Sequence, residues 1–579
     1  MESTNALFIQ LAVVLGLSAF FGFVLKFFKL PLVVAYLLAG VFLAMLEAFP
    51  SLGYLLGIGD FSALAHLPEI GIAFVLFFVG MELDLKEIQV LGKPIVVASL
   101  GQIGLSLMAG FLIAQLLGFA VVESLYLGVG LSVSSTIVVV KMLLEKQDLS
   151  SLYGKLSLGI LLIEDLVAIL LLMVMTVGSS IFNVGLQANF PLLMLVLKGS
   201  ILMMVSIFLS RHVLNSLFRA TASSAELLFL SALAWCFVFV AFSLLLGFSV
   251  VIGAFLAGVA LANSPFHYEI QGKVKPLRDF FVTLFFVYLG SQVTFSELGA
   301  ALPLIAVFTT YALIIKPIIF LLILGAFGFR KHTIFQTALN LSQISEFSLI
   351  IMIVGLNQGL VSSVGLTAMA LTGVISIIIS SIMINFSKTI YRRLKGFIGF
   401  FEHGKFVHES EMALEESGIK DHIILIGAHR IGGEVVRYLN KEEIPLLVLD
   451  FNPKIIQKLI SQKIHALYGD IGDPEILDFL SLEEAKLIIS TAANIDDNLM
   501  LLSEIKRRKA QAVVITRATS IIEAEELYNA GSDYVILPET ITGDFLTQIL
   551  KNHWPGLSYF KDRSERELER LSKNKLAVE

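Results

Sequence analysis

One cysteine in 579 residues, Cys236, excludes an internal disulfide, and its apolar surroundings make packing its expected role. Charge is the second scarcity. Residues 1–400 hold 20 Lys/Arg and 17 Asp/Glu, against 21 and 30 in residues 401–579, so a water-soluble first part is excluded. The net charge of −6 belongs mostly to the second part and leaves no basic footprint for nucleic acid. No basic n-region precedes the first apolar run, which therefore reads as a first span rather than a cleaved signal peptide. What the chain has instead is apolar mass. It is 56% hydrophobic with a mean hydropathy of +0.86, where a soluble domain is roughly 45–50% apolar. The composition predicts a polytopic all-α membrane domain over 1–395, a linker over 396–420, an α/β domain over 421–540 and a charged tail over 541–579.

Thirteen apolar runs fall at about 6–26, 30–47, 66–82, 94–118, 121–143, 156–178, 190–217, 225–246, 249–264, 277–292, 299–326, 332–357 and 362–387. With the N-terminus outside, every inside loop is basic, from Lys26 and Lys29 to the exit at Lys388, Arg392, Arg393 and Lys395. The outside loops hold no Lys or Arg. Positive charge stays on the cytoplasmic side, so the C-terminal domain is expected there, on an inner or plasma membrane.

The chain repeats itself weakly. VVAYLLAGV (33–41) matches VIGAFLAGV (251–259), LFFVG (76–80) matches LFFVY (284–288), and GLSVSST (130–136) matches NLSQISE (340–346). Each pair lies seven spans apart, and an odd separation inverts the second copy. Inverted repeats are a transporter signature, with the binding site near the midplane between the halves. A channel or a membrane enzyme does not need them. The third pair puts hydroxyls, an amide and a carboxylate in mid-span: Ser134, Ser135 and Thr136 in one copy, Gln343 and Glu346 in the other. Such residues offer the backbone alternative hydrogen bonds, and two broken, crossing helices are expected.

Glu164 and Asp165 stand side by side in LSLGILLIEDLVAILLLMVMTVG, residues 156–178. An ionisable group at that depth costs roughly 2.5–3.5 kcal/mol on insertion scales, so the pair is expected to hold something positive. Asp165 is the candidate carrier of cation and proton, because a carboxylate holds one or the other but not both well. Glu164 points about 100° away round the helix and is either a second proton carrier or the partner of a buried base. Lys316, in YALIIKPIIFLLI, is the candidate base, and Pro317 is a candidate kink. Lys198 is expected at an interface, and Glu69 as a helix N-terminal charge.

These features together resemble the cation:proton antiporter family 2: thirteen spans, an inverted repeat, polar breaks in spans 5 and 12, an acidic pair in span 6 and a lysine in span 11. The added α/β domain resembles that of its Kef-type branch of potassium/proton antiporters, and the resemblance covers residues 6 to about 540. It implies a homodimer, a six-helix core moving as an elevator, and Lys316 paired with Glu164. It also implies K⁺ (or Na⁺) as the substrate ion at Asp165. Kef-type members usually carry Gln-Asp where this chain has Glu164-Asp165, which leaves K⁺ against Na⁺ and the stoichiometry open. A ligand-gated potassium channel is the competing reading. Its one filter-like string, Thr176-Val177-Gly178-Ser179-Ser180, lacks Tyr-Gly. A sensor that has lost transport is a third reading, which the intact acidic pair disfavours.

In the last part, HIILIGAHRIGGEVVRYL (422–439) reads as strand, glycine turn and helix, and IPLLVLD ends a second strand at Asp450. Further alternation predicts a doubly wound, Rossmann-like sheet. His429 stands where the second glycine of G-x-G-x-x-G would admit a pyrophosphate, so AMP fits more easily than NAD. Gly427, His429, Arg430 and Ile431 of the turn are candidate nucleotide contacts, and Asp450 is placed to accept from ribose hydroxyls. The segment resembles the regulator-of-potassium-conductance (TrkA N-terminal) domain, in which the Gly-Asp step, here Gly469-Asp470, borders an adenine nucleotide.

Overall fold

The computed structural model describes residues 2–28, 30–48, 67–82, 93–146, 148–182, 201–402 apart from twelve scattered positions, 420–428, 430–473, 476–554, 560, 563 and 564. The chain forms two compact units, Met1–Gly404 and Lys405–Glu579.

Among the described residues the regular structure of the first unit is all helical. Its elements are α1 (Glu2–Lys26), α2 (Leu32–Ala48), α3 (Leu67–Glu82), α4 (Lys93–Leu116), α5 (Val121–Ser132), α6 (Thr136–Glu145), α7 (Leu152–Phe182) and α8 (Asn215–Thr221). They continue through α9 (Ala225–Leu245), α10 (Val250–Ala262), α11 (His267–Ser291), α12 (Leu298–Thr310), α13 (Lys316–Ala326), α14 (Lys331–Asn340), α15 (Glu346–Asn357), α16 (Ser363–Asn385) and α17 (Ser387–Ile398). Seven helical stretches among the described residues are long and apolar enough to cross a membrane. The expected span at 190–217, with Lys198, lies mostly outside the described residues. Glu69 is the third residue of α3.

Three expected spans are not continuous α-helices. Residues 133–135 separate α5 from α6, and 341–345 separate α14 from α15. The span at 299–326 carries a π-helical turn, Tyr311–Ile315, directly before Lys316. Pro317 is the reason for that turn: it has no N–H, and its ring crowds the carbonyl four residues back, a conflict that one wider turn relieves. The filter-like string at 176–180 is helical within α7, so its carbonyls are tied up along the helix axis. Helix α17 runs past the expected boundary at 395, because Phe397 and Ile398 keep its amphipathic period, and a 3₁₀ turn extends it to Phe401.

The repeat is visible as packing. Gly40 and Gly258 are the same residue of the repeated LAGV motif. Gly40, on α2, meets Gly290 on α11, and Gly258, on α10, meets Gly80 on α3. A Cβ on Gly258 would lie 2.9 Å from the Gly80 Cα and 3.0 Å from the Met81 amide. On Gly290 it would lie 2.9 Å from the Cα of Gly40 and from the amide of Val41. Small residues let membrane helices approach backbone to backbone, and here the two copies do so reciprocally.

The second unit is a six-stranded parallel sheet in the order β3-β2-β1-β4-β5-β6. The strands are β1 (His422–Ile426), β2 (Leu446–Asp450), β3 (His465–Tyr468), β4 (Ala485–Ser490), β5 (Val513–Arg517) and β6 (Tyr534–Ile536). Between and after them lie α18 (Arg430–Lys441), α19 (Pro453–Ser461), α20 (Ile495–Arg508), α21 (Ile521–Ala530) and α22 (Pro538–His553). This is the doubly wound order, with its switch between β1 and β4. Helix α22 crosses the expected boundary at 540, since Pro538 opens it directly after β6. Asn498, fully buried on α20, donates to the carbonyls of Ala492 and Arg517 and ties the loops after β4 and β5 together.

Two outcomes are expected. Gly258→Leu forces the α3 backbone to move, an overpacking cost of about 1–3 kcal/mol. The detergent-solubilised full chain then loses its monodisperse peak at a lower temperature, whereas Gly272→Leu, with open space around its Cβ position, leaves that temperature unchanged. His422 is buried at the start of β1, and burial pushes its imidazole below the ordinary histidine range, with the Leu480 backbone and Glu484 pulling partly back. Above that ordinary range both folded and unfolded rings are neutral. As pH falls through it the unfolded ring takes the proton first, so stability is lost toward acid. Hydrogen exchange in β1, corrected for intrinsic rate, should speed up on acidification, and His422→Phe should flatten the dependence.

Candidate functional site

The two breaks cross. Ser134 Oγ donates to the Leu341 carbonyl at 3.1 Å, and Ser348 Oγ donates to the Gly130 carbonyl. Four helix ends therefore meet at one place: the C-termini of α5 and α14 and the N-termini of α6 and α15. Each brings orphan N–H or C=O groups. In an apolar interior such groups cost several kcal/mol each unless a partner is found.

The partners come from four neighbouring helices. At the first break, Glu164 on α7 accepts from the Ser134 amide at 2.7 Å. Gln102 on α4 donates to the Ser132 carbonyl at 3.4 Å and to Ser106 Oγ at 3.0 Å. At the second break, Lys316 donates to the Gln343 carbonyl at 3.2 Å. Ser376 on α16 accepts from the Ile344 amide at 3.4 Å. Ser134 and Ile344 occupy the same position of the repeat. Each break thus receives an acceptor from one helix and a donor from another, and each carries one ionisable partner and one neutral one.

Glu164, Lys316 and Gln343 are fully buried, and Asp165 and Glu346 are each 8% exposed. Thr136, the first residue of α6, donates from Oγ1 to Asp165 Oδ2 at 2.8 Å. Asp165 therefore sits at a helix N-terminus, where the dipole favours negative charge. Ser135 caps α6 by accepting from the Val138 amide, and its hydroxyl also reaches Glu346. Glu346 is the first residue of α15 and accepts from Ser345 Oγ at 3.4 Å. Lys316 faces Glu164 through the electrostatic field and not through a contact: its hydrogen bond goes to the Gln343 carbonyl. Lys316 and Glu164 thus interact across a gap, each hydrogen-bonded to a different break. A cation there satisfies a broken helix end, while Glu164 spends one oxygen on the other break. Both polar atoms of the Gln343 side chain are buried without a hydrogen-bond partner.

The structure brings Glu164, Asp165, Ser134, Ser135, Thr136, Lys316, Gln343 and Glu346 into one cluster. The sequence reading missed Gln102 and Ser376. An amide in mid-span of α4 was the available signal for Gln102; Ser376, one hydroxyl among isoleucines, had none.

In the second unit the candidate nucleotide residues gather at the carboxyl ends of β1, β2 and β3. Gly427 has φ +85, a left-handed conformation that suits glycine, and donates to the Leu449 carbonyl at 2.8 Å. A Cβ on Gly432 would collide with the Gly427 carbonyl, which accounts for the last glycine of the fingerprint. Asp450 accepts from the Ala428 amide through Oδ2 and from the Asn452 amide through Oδ1, both at 2.7 Å. Its carboxylate therefore holds the turn, whatever it offers a ribose. Gly469 donates to the Asp450 carbonyl, and Asp470 accepts from the Gly472 amide at 3.1 Å. Arg430 opens α18 and Ile431 is partly exposed beside it. His429 lies outside the described residues. Among the described residues no group of three His, Cys, Asp or Glu side chains is arranged to hold a resident metal.

Comparison with known proteins follows this division. The family model described as "Sodium/hydrogen exchanger, transmembrane" matches residues 13–387, and the TrkA-N domain model matches residues 423–538. A protein of Alkalimonas amylolytica named "Putative K(+) efflux antiporter KefB" is 26% identical over 543 residues, covering 92% of this chain and 79% of the relative. One of Escherichia coli (strain K12) named "Putative cation/proton antiporter YbaL" is 26% identical over 547 residues, covering 90% and 96%. Among solved structures, the sodium proton antiporter MjNhaP1 from Methanocaldococcus jannaschii aligns at 14% identity with a TM-score of 0.46, covering 68% of this chain and 99% of that one. With two thirds of its length matched by the exchanger model, the chain belongs to the transmembrane sodium/hydrogen exchanger family and carries a TrkA-N domain behind its membrane part.

Proposed function

We propose that this antiporter exchanges K⁺ for H⁺ at Asp165, with Na⁺ as the alternative ion. The observation that carries the reading is Asp165 itself, a nearly buried carboxylate at the N-terminus of α6, where two broken helices cross in a cation/proton exchanger. Its hydrogen bond from Thr136 orients one oxygen. A dehydrated alkali ion and a proton then compete for the same lone pairs, which makes exchange obligate when only the loaded site crosses the membrane. Ser134, Ser135 and the broken-helix carbonyls supply further oxygen near the ion path. Glu346 and Glu164 are additional acids against one ammonium, Lys316, so the cluster as a whole favours positive cargo. The choice of K⁺ rests on the name of one relative and on the TrkA-N domain.

The same reading takes the chain as a homodimer whose six-helix core moves as an elevator, with its C-terminal unit cytoplasmic and its N-terminus outside. AMP, in preference to NAD, binds at the carboxyl edge of β1 and β2 and regulates exchange. The glycine turn at Gly427 and the Gly469-Asp470 step support a phosphate-and-ribose site there.

Proteoliposomes carrying a trapped pH dye test the exchange. Adding K⁺ should collapse a preset pH gradient, and Na⁺ should do so less. Asp165→Asn is expected to reduce the response to that of empty vesicles. Glu164→Gln, which keeps a carbonyl oxygen for the Ser134 amide, should leave a measurable fraction. Equal loss in both would mean that both acids carry the ion or proton; silence toward both ions in the unsubstituted protein would sink the proposal. Calorimetry of the full chain with AMP and NAD checks the nucleotide, with tighter AMP binding expected.

A further inference from the structure

Helix α17 (Ser387–Ile398) takes no part in the exchange site, yet it is built unlike any other helix of the membrane unit. Its sequence SKTIYRRLKGFI, continued by GFF to Phe401, contains no acid. It starts one residue after α16 ends, so it is held at the surface of the membrane unit. One flank is tied to that unit. Ser387, Tyr391 and Ile398 are buried, with the Tyr391 ring edge-on to His332 at 5.0 Å and 5.6 Å from Phe335, both on α14. Lys146, at the end of α6, donates to Ser387 Oγ at 3.1 Å and to the Ile384 carbonyl.

At about 100° per residue Arg392 and Lys395 fall on one side of the remaining surface and Phe386, Leu394 and Phe397 on the other, with Arg393 among the aromatics. Phe386, Leu394, Phe397 and Phe400 are 62%, 43%, 59% and 74% exposed. Arg392, Arg393 and Lys395 are exposed and have no carboxylate partner among the described residues. A helix anchored along one side, with exposed aromatic residues and with basic residues that have no carboxylate partner among the described residues, fits the plane of a bilayer surface. The aromatic residues lie at the acyl boundary and the guanidinium groups at phosphate depth. Zwitterionic headgroups carry their own counter-charge beside the phosphate, while anionic ones do not. The planar guanidinium fork suits that phosphate.

We propose that α17 is a binding site for anionic phospholipid headgroups, with Arg392, Arg393 and Lys395 holding the phosphate and Phe397 and Phe400 set among the acyl chains. The site lies directly against α14, the half-helix that leads into the second break.

Hydrogen exchange over residues 387–401 of the full chain tests this, in nanodiscs of phosphatidylcholine alone and of phosphatidylcholine mixed with phosphatidylglycerol. Exchange should slow several-fold in the anionic discs. The triple variant Arg392→Gln, Arg393→Gln, Lys395→Gln should lose most of that protection, each basic residue at an anionic surface being worth about fivefold in association. Unchanged exchange in α16 would show that the variant is folded. Equal exchange in the two disc types would overturn the site, as would a triple variant that keeps its protection. Equal protection from glycerol phosphate added to neutral discs would also overturn it, since the ligand would then be a free anion. None of these readouts depends on transport.

Discussion

A backbone amide or carbonyl left unpaired in an apolar interior has to find a side chain, and everything at the centre of this protein follows from that requirement. Two spans are interrupted at the same depth, so four helix ends meet where water is scarce. Glu164, Gln102, Lys316 and Ser376 reach in from four other helices to close them. The charges are therefore structural first. Glu164 and Lys316 are buried because the breaks they satisfy are buried. Once they are in place, the next residue along α7, Asp165, lands against the opening turn of α6. Asp165 is thus placed by a scaffold whose broken helix ends already draw in ionisable groups.

The inverted repeat makes the arrangement economical and also breaks its symmetry. The same glycine of LAGV, Gly40 in one copy and Gly258 in the other, brings the backbones together reciprocally. The two breaks are satisfied by different chemistry: the acceptors meet the same repeat position, Ser134 and Ile344, while the donors meet Ser132 and Gln343, one repeat position apart. The acceptor is a carboxylate in the first copy and a hydroxyl in the second; the donor is an amide in the first and an ammonium in the second. A two-fold fold thus carries an asymmetric field, negative toward α7 and positive toward α13.

Much of this was legible in the chain. Spans, breaks and repeat came from runs of apolar residues and from where polar ones interrupted them, and the structure broke the spans at 133–135 and 341–345 as the repeated SVSST and SQISE strings implied. Gln102 and Ser376 were missed because one polar residue in an apolar helix looks the same whether it packs or caps. The hydrogen-bond acceptor of Lys316 was not legible for a related reason. An opposite charge nearby suggests an ion pair, but an orphan carbonyl was nearer. In the second unit Asp450 was read as facing ribose, whereas two of its oxygen contacts are with the turn itself.

Composition, periodicity and charge bias by themselves determined that this chain is a polytopic membrane protein with a Rossmann-like domain behind it. They also located its breaks and pointed to buried acids and a base beside them. Those properties are additive along the chain and need no knowledge of what touches what. Only the tertiary structure decided which helix closes which break, because hydrogen bonding depends on separations of about 3 Å between atoms far apart in sequence. The role of Glu164 as a helix-end acceptor, the commitment of Lys316 to the Gln343 carbonyl, and the position of Asp165 at a helix N-terminus all belong to that second class. They fix which carboxylate stays clear of the breaks.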